Sequence, residues 1–219
     1  MTVMKVIGVI PAFNEEGRIR NTVVKTRKYV DKVIVVDDGS EDKTANIAKE
    51  AGAYVISYRE NRGIGFATKT GLKKAISLKP EIIVFLDADG QHDPKYIPYF
   101  IKAVENGADY VSAVRDLSKY PLNRKIGNWG LKVLTNLVCP TGIMDTENGF
   151  RAINIETAKK LDLRADRYSR EMDFAYNVWK NKFKIRQIRI EVPVYHPKAA
   201  IERGILNFLY LLKRRLNLI

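Results

Sequence analysis

The sequence has a single cysteine, Cys139, among its 219 residues. It therefore allows no internal disulfide, and such cysteine usage is typical of a reducing compartment. Long apolar runs are also missing. The longest clear one, at 205–212, contains an asparagine and is far shorter than the roughly 18 apolar residues of a membrane span. No charged segment precedes a long apolar stretch at the N-terminus, so a cleaved signal peptide is not expected. We therefore predict a cytoplasmic protein.

Acidic residues are outnumbered, because 38 Lys and Arg against 25 Asp and Glu give a formal net charge of +13. This charge suits nucleic acid, an anionic membrane face or anionic small substrates, and equally a lysine-rich solvated surface, so it does not decide the function. The sequence has no zinc-ligand cluster, aromatic RNA-binding signature or helix-turn-helix pattern. A basic nucleic-acid-binding domain is therefore a remote alternative, and no nucleic acid is expected as a partner.

Hydrophobic residues make up 46% of the chain, enough for a packed core, and no linker or repeat interrupts it. We predict one domain over 1–219, with a catalytic core over about 1–195 and a C-terminal amphipathic helix over about 196–219. Continuous apolar segments, each followed by a helical pattern, predict an α/β fold with a mostly parallel sheet flanked by helices. The strands are expected at 5–10, 32–36, 53–58, 81–86 and 109–114. Beyond these we expect helices at 122–138 and 169–183 and strands at 149–154 and 184–192.

Polar clusters follow four of these strands, namely PAFNEE (11–16), DDGS (37–40), DADGQ (87–91) and RD (115–116). Each cluster alone could be turn chemistry, and we expect Asn14 of the first to cap the following helix. The carboxyl ends of parallel strands share one edge of the sheet, where ligands bind in such folds. Four clusters at that edge therefore predict a site.

Asp87 and Asp89 leave a strand on the same side, and two close carboxylates repel unless a cation or a proton neutralises them. Their hard oxygen atoms suit Mg²⁺ or Mn²⁺, which usually completes its shell with water and substrate phosphates. Gln91 could add a carbonyl oxygen, so this stretch predicts a metal-bound diphosphate. His92 is expected to be structural by default, and Asp93 is expected to cap the next helix.

The second acidic pair, Asp37 and Asp38, could hydrogen-bond a nucleotide base or ribose, form a turn that caps the next helix, or hold a second metal ion. The segment NRGIGFATKTG (61–71) lacks both the third glycine of a dinucleotide fingerprint and the GK[ST] of a P-loop. We instead expect Gly63 and Gly65 to let the backbone approach a ligand, with Arg62 near a phosphate.

The segments IPAFNEE, VIVVDDGSEDKT, NRGIGFATKTGLKKA, FLDADGQHDP and DTENGFRAIN, in that order, resemble family 2 glycosyltransferases of the GT-A fold. Over about 5–195 the chain is most similar to their dolichyl-phosphate mannose synthase-like branch. The resemblance implies a GDP- or UDP-sugar donor, a metal held by Asp87, Asp89 and Gln91, and an acceptor phosphate near Arg115 and Arg124. Asp89, Arg115 and Arg124 are thus the candidate catalytic residues. Those expected to hold the nucleotide-sugar are Pro11, Ala12, Asn14, Glu15, Asp37, Asp38, Arg62, Gly65 and Asp87.

The acceptor implied by the resemblance is a polyprenyl or dolichyl phosphate, reached by inverting transfer of mannose, glucose or N-acetylglucosamine. Such a phosphate is already anionic near pH 7, because its second pKa is about 6, and it needs positioning by Arg rather than a base. A sugar or protein hydroxyl would need a base. Glu171 or Asp173 is the candidate for that alternative.

The C-terminal segment and residues 122–138 combine apolar faces with aromatic residues, Lys and Arg, a composition typical of interfacial helices. We therefore predict peripheral binding to an anionic membrane surface, on its cytoplasmic face. A core-packing helix, a membrane-protein partner and a homodimer contact are the alternatives. The predicted C-terminal stripe is Ile201, Ile205, Phe208, Leu209, Leu212 and Leu216.

Overall fold

A computed structural model describes residues 5–116, 118, 120–167, 169–193 and 201–219, apart from the side chains of 123–124 and 201–203. The strands are β1 (Val6–Ala12), β2 (Lys32–Asp37), β3 (Tyr54–Ser57), β4 (Ile82–Phe85), β5 (Tyr110–Arg115), β6 (Arg151–Asn154) and β7 (Ile185–Ile190). The helices are α1 (Ile19–Thr26), α2 (Thr44–Glu50), α3 (Ile64–Ser77), α4 (Ile97–Glu105), α5 (Leu122–Val138), α6 (Ile155–Lys160), α7 (Arg170–Asn181) and α8 (Ile201–Arg215). A 3₁₀ turn over Pro94–Tyr96 precedes α4.

The strands form one sheet in the order β3-β2-β1-β4-β6-β5-β7. All neighbours pair in parallel except β6, which is antiparallel to both β4 and β5. The expected mostly parallel sheet is therefore confirmed. Because β6 runs against its neighbours, it starts at the edge where they end. Residues just before β6 consequently reach the same edge as the carboxyl ends of β4 and β5.

Apolar side chains bury both faces of the sheet, which explains why its central strands read as continuous apolar runs. Every residue of β1 and β4 is buried. On one face α4 packs through Phe100, which stacks on Phe150 at 4.4 Å between ring centroids. On the other face α3 and α7 pack, with Phe174 against Phe85. The helix α8 then packs on α5 and α7.

Two predictions about helix starts had different outcomes. The expected cap by Asp93 is confirmed, because its carboxylate accepts a hydrogen bond from the Lys95 N–H. The expected cap by Asn14 is wrong, because α1 begins only at Ile19. Asn14 instead adopts a left-handed conformation with φ of 53°, and its side-chain oxygen accepts from the N–H of Glu41. In the described ranges no helix combines the length and hydropathy that crossing a membrane requires.

Candidate active site

A cavity of about 290 Å³ opens at the carboxyl edge of the sheet, where β1, β2 and β4 end. We call it the carboxyl-edge cavity. Three of the four predicted polar clusters meet there, as expected for a site at the strand ends. Its lining residues are Pro11, Ala12, Phe13, Glu15, Asp38, Asn61, Gly63, Ile64, Ala67, Asp87, Ala88, Asp89 and Arg167.

The second cluster divides between the cavity and the fold. Asp38 lines the cavity, and its carboxylate accepts hydrogen bonds from the backbone N–H groups of Arg62 at 2.9 Å and Gly63 at 2.8 Å. Asp37 is buried and accepts from the Ser40 N–H at 3.4 Å, in the manner of a turn. Asp37, like Asn14, is not among the lining residues.

The structure corrects the expected roles of Arg62 and Gly65. The Arg62 guanidinium lies over the Phe66 ring, 3.6 Å from its centroid, instead of lining the cavity. A Cβ on Gly65 would lie 2.2 Å from the carbonyl oxygen of Ala165. This glycine therefore admits a neighbouring loop of the protein, not a ligand. Gly63, with φ of +102°, faces the same loop through the carbonyl oxygen of Asp166.

Asp87 is held by a guanidinium that the sequence did not indicate. Arg170, at the start of α7, donates from Nη2 to Asp87 Oδ1 and from Nη1 to Thr68 Oγ1 at 3.2 Å. Burial opposes ionisation of this carboxyl, yet the charge of Arg170 and its hydrogen bond lower the pKa of Asp87 to about 2. Asp87 is therefore ionised throughout the physiological range.

Asp89 lies in the cavity beside Asp87, and burial together with the charge of Asp87 raises its pKa. Its Oδ1 accepts from the backbone N–H of Gln91 at 3.0 Å. The Gln91 side chain lines an adjoining cavity with Lys25 and Lys95 rather than this one. The structure thus brings Asp87 and Asp89 together as predicted but does not place Gln91 with them.

His92 has a structural role in this arrangement. Its Nδ1 accepts a hydrogen bond from the Asp87 N–H at 3.1 Å, and its ring packs against Phe150. Burial lowers the pKa of this imidazole, which agrees with a neutral ring that accepts at Nδ1. His92 therefore supports the backbone of the acidic stretch.

The fourth cluster forms a separate pocket of about 130 Å³, which we call the Arg115 pocket. Arg115 donates from Nε and Nη2 to the two carboxylate oxygens of Asp145, at 2.7 and 2.8 Å. Arg124 lies on α5 by its backbone, and its side chain falls outside the described residues. The residues lining the pocket are Val114, Arg115, Lys125, Asn128, Trp129, Lys132, Met144, Asp145, Thr146 and Glu147.

The segment 145–149 joins the Arg115 pocket to the carboxyl-edge cavity. Asp145 at its start binds Arg115, and Gly149 at its end faces the carboxylate of Asp87. A Cβ on Gly149 would lie 2.3 Å from Asp87 Oδ2 and 2.7 Å from Arg170 Nη2. Only a glycine fits here without displacing that ion pair.

The two candidate bases are engaged inside the fold. Asp173 is fully buried and accepts from the N–H groups of Arg164 and Ala165, the Tyr210 hydroxyl and the Arg214 guanidinium. Its role is to anchor loop 162–167 and α8, so we reject it as a base.

Glu171 forms ion pairs with Arg170 and, at 3.4 Å, with Arg151. Glu171 lines neither the carboxyl-edge cavity nor the Arg115 pocket. The structure therefore offers no support for a general base at this position.

The comparison with known proteins decides the family. The sequence model of the protein family described as glycosyl transferase family 2 matches residues 9–162. The chain belongs to glycosyl transferase family 2. It is a hexosyltransferase of the branch that includes the dolichyl-phosphate mannosyltransferases, as the ordered motifs implied.

Relatives of this transferase extend over most of its length. The UDP-N-acetylglucosamine–dolichyl-phosphate N-acetylglucosaminyltransferase of Methanococcus voltae is 35% identical, covering 84% of this chain and 83% of that protein. The undecaprenyl-phosphate mannosyltransferase of Micrococcus luteus is 27% identical over 87% and 83%. Glucosyl-3-phosphoglycerate synthase from Mycobacterium tuberculosis, in complex with Mn²⁺, UDP and glucosyl-3-phosphoglycerate, superposes with a TM-score of 0.74 at 21% identity, covering 98% and 81%. This last likeness shows the shared GT-A fold.

The donor set of the transferase fits a divalent cation held jointly with a substrate. In the described part of the chain no three His, Cys, Asp or Glu side chains converge as a metal cage. Mg²⁺ and Mn²⁺ sites of nucleotide enzymes commonly use one or two carboxylates and substrate phosphates. The adjacent carboxylates of Asp87 and Asp89 match that pattern. Burial and the charge of Asp87 raise the pKa of Asp89, so a cation beside the pair would favour its ionised form.

Sequence reasoning did not assign a role to four residues of the site, and the sequence signals that could have identified them differ. Asp145 and Gly149 stand within DTENGFRAIN, which the resemblance singled out without assigning them roles. Arg170 and Arg167 stand in a stretch that reads only as a helix and its preceding loop. Nothing in local sequence shows that Arg170 meets Asp87, 83 positions earlier.

Proposed function

We propose that the transferase moves a sugar from a GDP- or UDP-sugar to a polyprenyl phosphate such as dolichyl phosphate, with inversion at the anomeric carbon. One observation carries this proposal. The basic Arg115 pocket adjoins an exposed apolar stripe, and segment 145–149 links it to the carboxyl-edge cavity. An anionic headgroup attached to a long apolar chain has the matching chemistry.

The stripe lies on α5. Leu122, Ile126, Trp129 and Leu137 recur at helical spacing and are exposed by 71%, 58%, 61% and 74%. Trp129 also lines the Arg115 pocket, together with Lys125 and Lys132 of the same helix. A polyprenyl chain on the stripe would therefore present its phosphate to Arg115 and the two lysines.

The named relatives support a polyprenyl phosphate as the acceptor class, because dolichyl phosphate and undecaprenyl phosphate both appear in their names. Those names differ in the sugar transferred. Mannose, glucose and N-acetylglucosamine therefore all remain candidates for this chain.

The chain's own residues suffice to position such an acceptor. A phosphate oxygen near pH 7 is already a nucleophile, so Arg115 need only orient it and offset its charge. Asp145 holds the Arg115 guanidinium through two hydrogen bonds and so fixes its direction. The engagement of Glu171 and Asp173 inside the fold agrees with a reaction that requires no base.

On the donor side, Asp87 and Asp89 would hold Mg²⁺ or Mn²⁺, with Arg170 keeping Asp87 ionised. When bound, such an ion supplies Lewis-acid neutralisation of the departing diphosphate. Phe13 lines the cavity with 43% of its surface exposed, so its ring is available to stack on the nucleotide base. The Mn²⁺ and UDP named with the mycobacterial synthase support this assignment.

We further propose that the enzyme works as a peripheral protein on an anionic, cytoplasmic membrane face. Of the predicted C-terminal stripe, Ile205, Leu209 and Leu216 are exposed by 56%, 45% and 58%. Lys213 and Arg215 follow on the same helix and are exposed as well. An exposed apolar stripe flanked by cations is the pattern of interfacial helices.

The decisive experiment is transfer of radiolabelled sugar from GDP-mannose, UDP-glucose and UDP-N-acetylglucosamine, each offered with Mn²⁺ and vesicles that contain dolichyl phosphate. We expect one donor to label a mild-acid-labile lipid, and vesicles with unphosphorylated dolichol to stay unlabelled. Asp89→Asn should lose this activity, whereas Asp93→Asn, a carboxylate four residues away that caps the 3₁₀ turn, should keep it. Equal labelling of dolichol would refute the phosphate acceptor, and full activity in EDTA would refute the metal.

A further inference from the structure

Four carboxylates and one cation line the carboxyl-edge cavity among the described residues. The carboxylates belong to Glu15, Asp38, Asp87 and Asp89, and the cation is Arg167. A nucleoside diphosphate brings further negative charge into this surrounding. A divalent ion between Asp87 and Asp89 offsets only part of it, so an additional cation at the diphosphate is expected on electrostatic grounds.

We propose that Arg167 is a donor-binding residue that donates hydrogen bonds to the diphosphate of the nucleotide-sugar. This inference rests on the function proposed above and names a residue of its donor site. Arg167 has no carboxylate partner within ion-pair distance in the described part of the chain, and its side chain is exposed. Its guanidinium is thus available, and the planar fork of an Arg matches phosphate oxygens bidentately.

Hydrogen bonds anchor the loop that carries Arg167 to both α7 and α3. The N–H groups of Arg164 and Ala165 donate to the buried Asp173 at 2.7 and 2.6 Å. The Asp166 carbonyl accepts from the Phe66 N–H at 2.9 Å. A preorganised loop spends less conformational entropy on holding a ligand group than a mobile one.

Gly63 and Gly65 show how closely the same loop approaches. A Cβ on Gly63 would lie 2.4 Å from the Asp166 carbonyl oxygen and 2.8 Å from Arg167 Cγ, and one on Gly65 would strike Ala165. The sequence indicated that these glycines let the backbone approach a ligand. They instead allow the loop that carries Arg167 to pack closely against them. The diphosphate role expected of Arg62 therefore passes to Arg167, since Arg62 stacks on Phe66.

Calorimetry with Mn²⁺ can isolate this contact by comparing nucleoside diphosphates with monophosphates, using UDP with UMP and GDP with GMP. In Arg167→Ala, affinity for the preferred diphosphate should fall roughly 10- to 100-fold, the range for a lost charge-assisted hydrogen bond. Affinity for the monophosphate should change far less. Arg167→Lys should recover part of the loss. Arg164→Ala is the matched control, because that side chain pairs with Asp162 on the same loop, outside the cavity lining.

Two results would overturn the assignment. Unchanged diphosphate affinity in Arg167→Ala would remove Arg167 from the site, and an equal loss for the monophosphate would make its role merely structural. Either result leaves the proposed function standing if the wild type binds a diphosphate and transfers sugar. A wild type that binds neither UDP nor GDP would instead refute the proposed function itself, and this assignment with it.

Discussion

The ion pair between Asp87 and Arg170 is the residue-scale feature on which the site depends. Arg170 is almost fully buried, and its donors reach Asp87, Glu171 and Thr68. A buried guanidinium is tolerated only where such partners satisfy it. The pair keeps Asp87 ionised. The position of Arg170 relative to Asp87 therefore decides whether this carboxylate can bind a cation.

Gly149 offers a way to move that ion pair without altering its charge. In Gly149→Ala the new Cβ would meet Asp87 Oδ2 at 2.3 Å and Arg170 Nη2 at 2.7 Å, so both must shift. We expect sugar transfer to fall at least tenfold and the free energy of unfolding to fall by roughly 1–3 kcal/mol, as for overpacking in general. Initial rates and urea unfolding measure the two effects.

The control for this substitution is Gly127→Ala on the exposed surface of α5, where a Cβ meets nothing within 4 Å. Alanine there should keep the activity and stabilise the helix by about 0.5–1 kcal/mol. Wild-type rates in Gly149→Ala would show that the contact with Asp87 is not needed for catalysis.

At the scale of elements, α8 connects the loops of the two sites through a polar inner face. Asn207 donates to Glu147 at 3.0 Å and accepts from the Ser169 hydroxyl. One turn and two turns further on, Tyr210 and Arg214 both donate to Asp173. The helix thus holds segment 145–149 through Asn207 and loop 162–167 through Arg214, whose Nη1 and Nη2 donate to Asp162, while its apolar stripe faces outward.

The polar buried face and exposed apolar stripe of α8 show where sequence reasoning about elements succeeds and where it fails. Runs of apolar residues predicted β1–β5, and the 3.6-residue period predicted α5 over its observed range. Both patterns reflect which residues of an element are buried, and this can be read locally. The stripe of α8 was also visible, but not that Asn207 and Arg214 would form the buried side. Polar residues are buried only where distant partners satisfy them, and those partners are unreadable from the helix itself.

The same limit explains the errors at the site. Strand β6 lies antiparallel between β4 and β5 because of how it pairs with them, and its own four residues do not reveal this direction. The antiparallel direction brings Gly149 to the site. The choice between Arg62 and Arg167 depends on Phe66, whose ring holds the first guanidinium. Asp87, Asp89 and Asp38 were predictable, because strand ends in a parallel sheet share one edge.

The contact between α8 and Glu147 makes a pH-dependent prediction. Burial, with the nearby charge of Glu171, raises the pKa of Glu147 from 4.5 to about 7. Between pH 4.5 and 7 the folded state therefore binds more protons than the unfolded state, so this group lowers stability as the pH rises through that window. Glu147→Gln keeps an oxygen for Asn207 and removes the titration. It should match the wild type near pH 4 and exceed its free energy of unfolding by roughly 2–3 kcal/mol at pH 8.

Urea unfolding at the two pH values tests this expectation. Glu156→Gln on α6 is the matched control, because Glu156 is exposed and its pairing with Lys159 lowers rather than raises its pKa. It should gain no stability at pH 8. A constant difference between Glu147→Gln and wild type at both pH values would contradict the buried, proton-binding carboxyl.

On the scale of the whole molecule, the two sides of the sheet differ in what they present to solvent. The side with α5, α7 and α8 carries exposed Leu137 and Leu209 among the stripes of two packed helices. The side with α4 carries Tyr99, an isolated exposed aromatic next to half-buried Tyr96. A contiguous apolar surface indicates an interaction site, whereas single exposed apolar residues are normal.

If that surface meets a membrane, the double variant Leu137→Ser with Leu209→Ser should lose most of its binding to vesicles that contain anionic lipid. Both side chains are substantially exposed, so the fold should tolerate the change. Tyr99→Ser removes an exposed aromatic side chain from the opposite side of the sheet and should bind as the wild type does. Sedimentation with vesicles at 0.1 and 0.5 M salt measures the effect, and binding should weaken at high salt because cations flank the stripes. Equal sedimentation of all three proteins would contradict membrane binding through this surface. A wild-type dimer in solution that the double variant fails to form would assign the surface to a second copy of the chain.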